Sequence, residues 1–328
     1  MKRVLITGVA GFVGRHFCKY FLDKNFEVVG VDNLQKFTGA INPQKKWPLY
    51  DPYDYKNFKF IKMDCTEWFF YKKKKKFDYV LHLAAIVGGR EMIENYPLAV
   101  AQDLTIDSKF WEWCIDSKPK KVLYFSSSAS YPLNLQTKKN YRLLKEEDIN
   151  FNNVLGVPDY TYGWSKLTGE YLAKIAFKNY GLNSVCYRPF SGYGEDQDIN
   201  YPFPNLCKNI INSKKRKTVR VWGDGKQMRD FIHIDDCVRG VIKTMDKIND
   251  ASAINLSTGN FTSFIDFLKI GRKISGNDFK IITQKSKPVG VFARAGSTYK
   301  QRKLGFRARI TLEEGIERGL KYFENKIF

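Results

Sequence analysis

Short apolar runs alternate with longer stretches of helical periodicity over the first 190 residues. The apolar runs predict strands at residues 3–7, 27–31, 58–63, 79–83, 122–125 and 184–188. The run at 79–83 is almost wholly apolar, as expected of a parallel strand that is covered on both faces. Strands that alternate with helices in this way predict an α/β fold built on a doubly wound parallel sheet.

The pattern changes after residue 188. Residues 192–204 are rich in Gly, Asp, Tyr and Pro, which is typical of a loop that covers a substrate. A helix at 205–212 and a strand at 219–222 follow, and a helix from about 235 and a strand at 253–256 are expected to return to the first lobe. We therefore expect a large domain over residues 1–190, joined again by about 231–262, and a smaller substrate-binding lobe over residues 191–328. A long loop at 37–55 is expected either to close over a cofactor or to mediate assembly.

Three glycines follow the first predicted strand. Gly8 permits a tight turn, Gly11 lets the backbone approach a pyrophosphate, and Gly14 allows close packing of the next helix, whose first amide groups hold the anion. Asp32 ends the second strand, where a carboxylate suits the ribose hydroxyls of NAD and repels the extra phosphate of NADP. Asp64 ends the third strand and is expected either at the adenine amino group or in an ordinary strand-end turn. The pattern predicts a Rossmann domain that binds NAD.

A tyrosine and a lysine four residues apart carry the candidate chemistry. Tyr162 and Lys166 project from the same face of a predicted helix. The ammonium group therefore lowers the pKa of the phenol and makes it a proton acceptor near neutral pH. The fifth predicted strand delivers Ser126, Ser127 and Ser128 to the same edge of the sheet. Together with the glycine-rich start, these residues predict hydride chemistry at a hydroxyl group.

The chain resembles the extended short-chain dehydrogenase/reductase family, and within it the NAD-dependent nucleotide-sugar epimerases and dehydratases. The resemblance covers nearly the whole chain and is carried by residues 8–14, 82–85, 126–129, 162–166, 187–194 and 222–236. It implies NAD, a nucleotide-sugar substrate, and a homodimer formed through the helices near 103–117 and 162–180. Phe110, Trp111 and Trp113 are candidate contacts between subunits, although core packing explains them equally well.

The resemblance also implies a role for each matching residue. Tyr162 is the base for a sugar hydroxyl, Lys166 bonds the nicotinamide ribose, and Ser128 steadies the developing carbonyl oxygen, with Ser127 as a competitor for that role. Further cofactor contacts are expected from Phe12, Val13, Asn33, Cys65, Leu83, Ala84, Ala85 and Arg188. Substrate contacts are expected from Gly88, Ser127, Ser191, Val221 and, at the diphosphate, Arg229 and Arg294.

The residues at the two positions after the serines limit which reaction is expected. Sugar-nucleotide 4,6-dehydratases place acids there and 3,5-epimerases use a cysteine, whereas this chain has Ala129 and Ser130. What remains is reversible oxidation of a sugar hydroxyl, expected at C4, by an epimerase or a 4-dehydrogenase. Because other segments are similar to GDP-mannose 3,5-epimerase and GDP-fucose synthase, a 3,5-epimerase or a 4-keto reductase of a GDP-sugar stays an alternative. The nucleotide, GDP or UDP, is left open.

Composition and charge test these interpretations. The chain has 328 residues and no run of 18 apolar residues, and its six cysteines lie far apart, so we expect a cytoplasmic protein without a membrane segment. None of the three histidines belongs to a ligand-spaced cluster, and no metal site is predicted. The net charge of +21 raises one alternative, a basic nucleic-acid-binding protein on a dinucleotide fold. Because the lysines are spread along the whole chain and the run at 72–76 lies in a connector, no nucleic-acid partner is expected.

Overall fold

Seven parallel strands form the central sheet of the protein. The computed structural model describes residues 1–72 and 75–327, so Lys73 and Lys74 of the basic connector lie outside the described residues. The strands, in chain order, are β1 (Arg3–Thr7), β2 (Glu27–Asp32), β3 (Phe58–Lys62), β4 (Tyr79–His82), β5 (Lys121–Phe125), β6 (Gln136–Thr137), β7 (Asn140–Tyr141), β8 (Ser184–Pro189), β9 (Ser191–Tyr193), β10 (Thr218–Trp222), β11 (Met228–Arg229), β12 (Phe231–His233), β13 (Asp250–Leu256), β14 (Thr262–Ser263), β15 (Lys280–Gln284) and β16 (Ala293–Arg294).

The helices cover both faces of this sheet and build the smaller lobe. They are α1 (Phe12–Asp23), α2 (Cys65–Tyr71), α3 (Arg90–Asn95), α4 (Pro97–Val100), α5 (Asp103–Ser117), α6 (Tyr160–Tyr180), α7 (Pro202–Arg216), α8 (Ile234–Thr244), α9 (Phe264–Ser275), α10 (Tyr299–Lys303) and α11 (Leu312–Ile327). Within residues 1–72 and 75–327, no helix has the length and apolar character needed to cross a membrane.

The strand order shows where a ligand site belongs. The sheet runs β13-β8-β5-β4-β1-β2-β3, and its neighbouring strands are parallel. The order reverses at β1, with β2 and β3 on one side and β4, β5 and β8 on the other. In open α/β sheets, ligands bind outside the carboxyl ends of the strands at such a switch point. The predicted fold, a doubly wound parallel sheet, is confirmed.

Alternate residues of β1 enter two different cores. Val4 and Ile6 pack in the core under α1 and α8, whereas Leu5 packs in the core under α2, α5 and α6, and all three residues are fully buried. Because successive strand residues point to opposite faces, this burial requires helices on both sides of the sheet. Each such side chain contributes about 1.5–3 kcal/mol of stability through its removal from water.

The predicted strands of the first 190 residues agree with the observed strands to within one residue at each end. The helix predicted at 205–212 is longer, because α7 begins at Pro202. Proline is accepted at the first helical position, where its missing N–H would have no partner in the helix and its fixed φ suits the helix. A proline therefore marks the start of α7 rather than a loop before it.

A smaller lobe has its own core. Helices α7, α9 and α11 pack together around Phe203, Phe231 and Phe267, and the short sheets β10-β15 and β14-β11-β16 adjoin them. Between the segments of this lobe the chain returns to the large domain, where α8 packs on α1 and β13 pairs with β8. The chain therefore crosses between the two lobes more than once.

The loop at residues 37–55 packs against the large domain. Trp47 is 1% exposed, and its ring contacts that of Phe58 at the start of β3 with 5.8 Å between ring centroids. Thr38 and Gly39 of the same loop line a cavity at the carboxyl ends of the central strands. The loop therefore forms part of the cavity wall.

Phe110, Trp111 and Trp113 on α5 lie inside the chain's own core, with at most 3% of each residue exposed. Trp113 stacks on Phe69 of α2, with ring centroids 5.4 Å apart. Of the two explanations that the sequence left open for these aromatic residues, the structure therefore favours core packing over a contact between subunits.

Candidate active site

A cavity of about 540 Å³ opens along the carboxyl ends of the central strands. Its walls come from the turns after the strands, from α6 and from residues 197–201 of the loop before α7, so both lobes contribute. All the predicted cofactor contacts except Arg188 line it: Gly8, Gly11, Phe12, Val13, Gly14, Asp32, Asn33, Asp64, Cys65, Leu83, Ala84, Ala85, Tyr162 and Lys166.

The turn after β1 has the geometry of a phosphate-binding turn. Gly8 has a φ of +71°, and a Cβ atom there would lie 2.7 Å from the backbone nitrogen of Ala84. A Cβ atom on Gly14 would lie 2.2 Å from the Gly8 carbonyl oxygen. Gly11 caps α1 and has no side chain to bond the first amide groups of the helix. These amide groups therefore remain available to an anion such as a pyrophosphate.

Asp32 is held rigidly at the end of β2. Its carboxylate accepts the backbone N–H groups of Ala10 at 3.0 Å and Leu34 at 2.8 Å. Burial raises the pKa of Asp32, and these two bonds counteract that rise. A carboxylate has about four acceptor sites. The two bonds therefore orient Asp32 and leave it able to accept ribose hydroxyl groups.

Asp64 combines a structural role with its place in the cavity wall. Its Oδ1 accepts the N–H and the hydroxyl of Thr66 at 2.8 and 2.6 Å, which caps α2, and its Oδ2 accepts the Asn33 amide at 3.0 Å. Burial raises the pKa of the neighbouring Cys65 thiol. The thiol therefore stays neutral and contributes a packing contact to the cavity rather than a charge.

Ser127 lowers the pKa of Tyr162 through a side-chain hydrogen bond. Ser127 is the last extended residue after β5, and the backbone turns at Ser128, which begins a 3₁₀ turn over Ser128–Ser130. The Ser127 hydroxyl also accepts the Ala129 N–H at 3.1 Å. We propose that Ser127, the competitor named from the sequence, takes the role beside Tyr162 instead of Ser128.

Tyr162 and Lys166 lie on one face of α6, as their spacing predicts. Burial raises the pKa of Tyr162, while the charge of Lys166 and the Ser127 hydrogen bond lower it, so the pKa stays above its usual value. Burial lowers the pKa of Lys166, but Asp107 and Asp103 outweigh this effect and the pKa is raised. The lysine therefore stays charged, and a cofactor that brings positive charge would favour the phenolate form of Tyr162.

A buried network behind Lys166 was not predicted from the sequence. His82 bonds the Thr7 hydroxyl through Nδ1 at 2.8 Å and Asp107 through Nε2 at 3.1 Å, and Tyr124 donates to Asp107 at 2.5 Å. Burial lowers the pKa of His82. The imidazole is therefore neutral at physiological pH, and Asp107 supplies the negative charge that favours the protonated form of Lys166.

Asp103 is a second residue that sequence reasoning missed. It is 1% exposed, its Oδ1 accepts the Ile86 N–H at 2.6 Å, and its Oδ2 has no hydrogen-bond partner in the described part of the chain. Burial raises the pKa of Asp103 to about 7, against the lowering effect of Lys166. The sequence does contain one feature that indicates this site. Asp103 and Asp107 are four residues apart on a predicted helix, so their side chains lie on one face.

Arg229 and Arg294 stand opposite each other on the paired strands β11 and β16. Arg229 donates to the carbonyl groups of residues 228, 291 and 289 at 2.8, 2.9 and 3.1 Å. Burial lowers the pKa of Arg229 to about 9, and the charge of Arg294 adds to this effect. Arg294 donates to Gln136 at 2.6 Å and to Asp159 at 2.8 Å. Among the described residues, Arg229 has no carboxylate partner within hydrogen-bond distance. Two adjacent guanidinium groups with so little counter-charge are suited to an anionic ligand.

None of the predicted substrate contacts is among the described residues that line this cavity; they are Gly88, Ser127, Ser128, Ser191, Val221, Arg229 and Arg294. Val221 is 3% exposed in the core of the smaller lobe, because alternation along β10 turns Val219 and Val221 inward. Its assignment as a substrate contact is corrected to a core position. Gly88 in the loop before α3 and Ser191 at the start of β9 are both half-buried.

Arg188 is a buried structural residue instead of a cofactor contact. It forms two hydrogen bonds to Glu170, at 2.8 and 2.6 Å, and one to the Tyr131 hydroxyl at 3.0 Å. Glu170 also accepts the hydroxyl of Ser126. A buried guanidinium requires such a counter-charge. The prediction is therefore corrected, because the partners of Arg188 lie in the protein interior beneath the serine turn.

The glycine turn, the acid after β2 and the Ser127–Tyr162–Lys166 set together define a dinucleotide-dependent enzyme of the short-chain dehydrogenase/reductase type. A family model described as the NAD dependent epimerase/dehydratase family matches residues 4–257. The match spans most of the chain, and the chain belongs to this family. The predicted family, the predicted enzyme class and the predicted cofactor, NAD, are confirmed.

Individual relatives cover the whole chain. This chain is 28% identical over 332 residues to a UDP-glucuronate 4-epimerase of Thermodesulfobacterium geofontis. The alignment covers 100% of this chain and 98% of the relative. A GDP-L-fucose synthase of Sinorhizobium fredii is 23% identical over 333 residues, covering 99% and 96%. Among solved structures, a UDP-glucuronic acid 4-epimerase from Bacillus cereus, in complex with UDP-glucuronic acid and NAD, has a TM-score of 0.80 and 26% identity, covering 99% of each chain.

Replacing Asp32 with Ala should reduce the preference for NAD over NADP by about tenfold or more, because a carboxylate at this position is suited to bond the ribose hydroxyls and to repel a 2′-phosphate. Titration calorimetry with each dinucleotide measures the ratio of the two dissociation constants. Asp23→Ala, an exposed position on α1, is the matched control. An unchanged ratio for Asp32→Ala would remove this residue from the ribose site.

Proposed function

We propose that the protein is an NAD-dependent 4-epimerase of a UDP-sugar. The observation that carries this proposal is a set of three side chains, in which Tyr162 and the charged Lys166 line the cavity and Ser127 lowers the pKa of Tyr162 through a hydrogen bond. This set is suited to the removal and return of one hydroxyl proton. NAD, when bound, accepts a hydride from the sugar carbon and returns it.

The turn after β5 offers no second acid or base for a different reaction. Ala129 is apolar, and Ser130 is 1% exposed with its hydroxyl 3.1 Å from that of Ser126. Dehydration at C5 and C6, or epimerisation at C3 and C5, requires an additional proton donor or acceptor near the sugar ring. The composition of this turn therefore favours the oxidation of a single hydroxyl group.

The protein's residues have separate tasks in this reaction. Tyr162 takes the proton from the sugar hydroxyl, Lys166 favours the phenolate through its charge, and Ser127 bonds the phenol and lowers its pKa. Arg229 and Arg294 bind the diphosphate. If the diphosphate stays bound while the keto sugar rotates, the sugar presents the opposite face of C4 for reduction. Tyr162 then returns the proton to the oxygen, and the configuration at C4 is inverted.

The choice of UDP and of C4 is supported by the relatives. Two proteins that match over nearly the whole chain are named as 4-epimerases of UDP-glucuronate. A relative named GDP-L-fucose synthase matches at lower identity. A UDP-sugar is therefore the first substrate class to test, and GDP-sugars are the necessary comparison.

We also propose that the protein forms a homodimer through α5 and α6. These helices pack side by side, and both carry large apolar side chains that face solvent in the single chain. Leu104 on α5 is 41% exposed, and Trp164 and Tyr171 on α6 are 45% and 47% exposed. The two α6 residues are seven positions apart and so share one helix face. A second copy of the same surface would cover them.

Incubation with UDP-glucose, UDP-glucuronate and the matching GDP-sugars should give an isomer of unchanged mass from a UDP-sugar. Mass spectrometry and proton NMR identify the product, and absorbance at 340 nm reports NADH. Tyr162→Phe is the control and should abolish turnover while NAD still binds. A product lighter by two hydrogens with accumulating NADH would identify a dehydrogenase instead, and turnover of GDP-sugars alone would rule out the UDP assignment.

Replacing Ser127 with Ala should lower turnover by on the order of a hundredfold, whereas Ser128→Ala should retain most of the rate. The hydrogen bond from Ser127 lowers the pKa of Tyr162, so its loss raises that pKa. The rise of activity with pH should therefore move to higher pH in Ser127→Ala. Rates measured from pH 5 to 10 test both effects. A larger loss in Ser128→Ala than in Ser127→Ala would reverse the assignment of the two serines.

Replacing Trp164 with Glu should convert the dimer to a monomer of 38.1 kDa, because a charge on the shared face opposes its burial. Light scattering coupled to gel filtration measures the mass. Tyr53→Glu, in the 37–55 loop where Tyr53 is 50% exposed, is the matched control. Dissociation by Tyr53→Glu but not by Trp164→Glu would move the subunit contact to that loop.

A further inference from the structure

Two arginines from different parts of the fold bond one carboxylate, and a third arginine lies beside them. Arg90 at the start of α3 bonds both oxygens of Asp159, at 2.9 and 3.0 Å, and Arg294 of β16 bonds one of them at 2.8 Å. Arg229 lies opposite Arg294 in the neighbouring strand. Asp159 immediately precedes α6 and is three residues before Tyr162. The cluster therefore joins the large domain, the smaller lobe and the helix that carries Tyr162.

A single loop brings Arg90 close to Arg229. The guanidinium of Arg90 lies 3.3 Å from where a Cβ atom of Gly290 would stand. The carbonyl groups of Val289 and Val291, on either side of Gly290, accept hydrogen bonds from Arg229. Arg90 and Arg229 therefore contact the same three-residue stretch, and Arg90 belongs to the arginine cluster already assigned to the substrate.

The cluster contains more positive charge than its acids neutralise. Its carboxylates are Asp159 and Glu94, which bonds Nε of Arg90 at 2.5 Å. In the described part of the chain, Nη2 of Arg90, Nη1 of Arg294 and Nε of Arg229 have no hydrogen-bond partner. Three neighbouring guanidinium groups with spare donors, two of which share one carboxylate, are suited to a further oxyanion.

Asp159 precedes the first residue of α6 but does not cap the helix with its side chain. An aspartate that precedes a helix commonly accepts an amide N–H of the first turn. The Asp159 side chain makes no such bond and bonds the two arginines instead. The next residue, Tyr160, has a φ of +52°, which is uncommon for a residue other than glycine, and Arg90 lies over its ring at 5.0 Å. Burial raises the pKa of Asp159, but Arg294 and Arg90 outweigh this, so the carboxylate is ionised at neutral pH.

We propose that Arg90 is a third arginine that binds an oxyanion of the nucleotide sugar, and that Asp159 is an internal counter-ion that competes with this oxyanion for Arg90 and Arg294. The inference rests on the proposed function and specifies how its substrate is held. The oxyanion is either the diphosphate or a carboxylate of the sugar. Binding transfers the two guanidinium groups from Asp159 to the substrate.

The test is calorimetric titration of UDP, UDP-glucose and UDP-glucuronate into Arg90→Gln and Asp159→Asn. Arg90→Gln should weaken binding at least tenfold. Asp159→Asn should tighten it at least threefold, because the competing charge is gone while the shape of the side chain is kept. Arg90→Lys, which keeps the charge without the fork, should restore part of the affinity. Arg142→Gln and Asp148→Asn, from an ion pair in which Arg142 is exposed, are matched controls and should leave affinity unchanged.

The ligands distinguish the two sources of the oxyanion. Weaker binding of all three ligands to Arg90→Gln assigns the diphosphate, and weaker binding of UDP-glucuronate alone assigns the sugar carboxylate. Unchanged affinity of Arg90→Gln for every ligand overturns the proposal. Weaker binding to Asp159→Asn, with NAD affinity kept, also overturns it, since Asp159 would then be a scaffold only. If the wild-type protein binds NAD but no UDP compound, the proposed function itself fails, and this inference fails with it.

Discussion

The close contact between the turn after β1 and the end of β4 is the constraint on which the site depends. Gly8 lies so near the backbone of Ala84 that no side chain fits between them. This contact occurs where the strand order reverses, so the amide groups at the start of α1 face the same cavity as the ends of β2 and β5. Cofactor binding and chemistry are therefore placed together by backbone packing, before any reactive side chain is considered.

Much of the fold and part of the site follow from local rules. Apolar runs identify the strands because every side chain of a central parallel strand is buried. Helical spacing places Tyr162 and Lys166 on one face. Ser127 could not be chosen over Ser128 in the same way, because a one-residue difference in where the turn begins depends on tertiary packing. Arg188 likewise looked like a ligand contact, and only the fold reveals its partner, Glu170.

Lys166 owes its raised pKa to a buried network that the sequence does not identify. Asp107 is fixed by His82 and Tyr124, and its charge raises the pKa of Lys166 against the effect of burial. Asp103 adds a second carboxyl group whose Oδ2 has no hydrogen-bond partner within the described residues. A buried ammonium group is stable only with such partners. The protonation state of Lys166 therefore depends on buried acids that do not themselves need to touch a substrate.

The return of β13 to the central sheet has a consequence for synthesis of the protein. This strand comes from residues 250–256 and pairs with β8, which ends at Pro189. While a ribosome makes the chain, the hydrogen-bonding edge of β8 has no native partner until residue 256 has emerged. Unpaired edges of this kind favour association with other chains. The large domain therefore completes its fold only after residues 190–249, which include α7 of the smaller lobe, have been made.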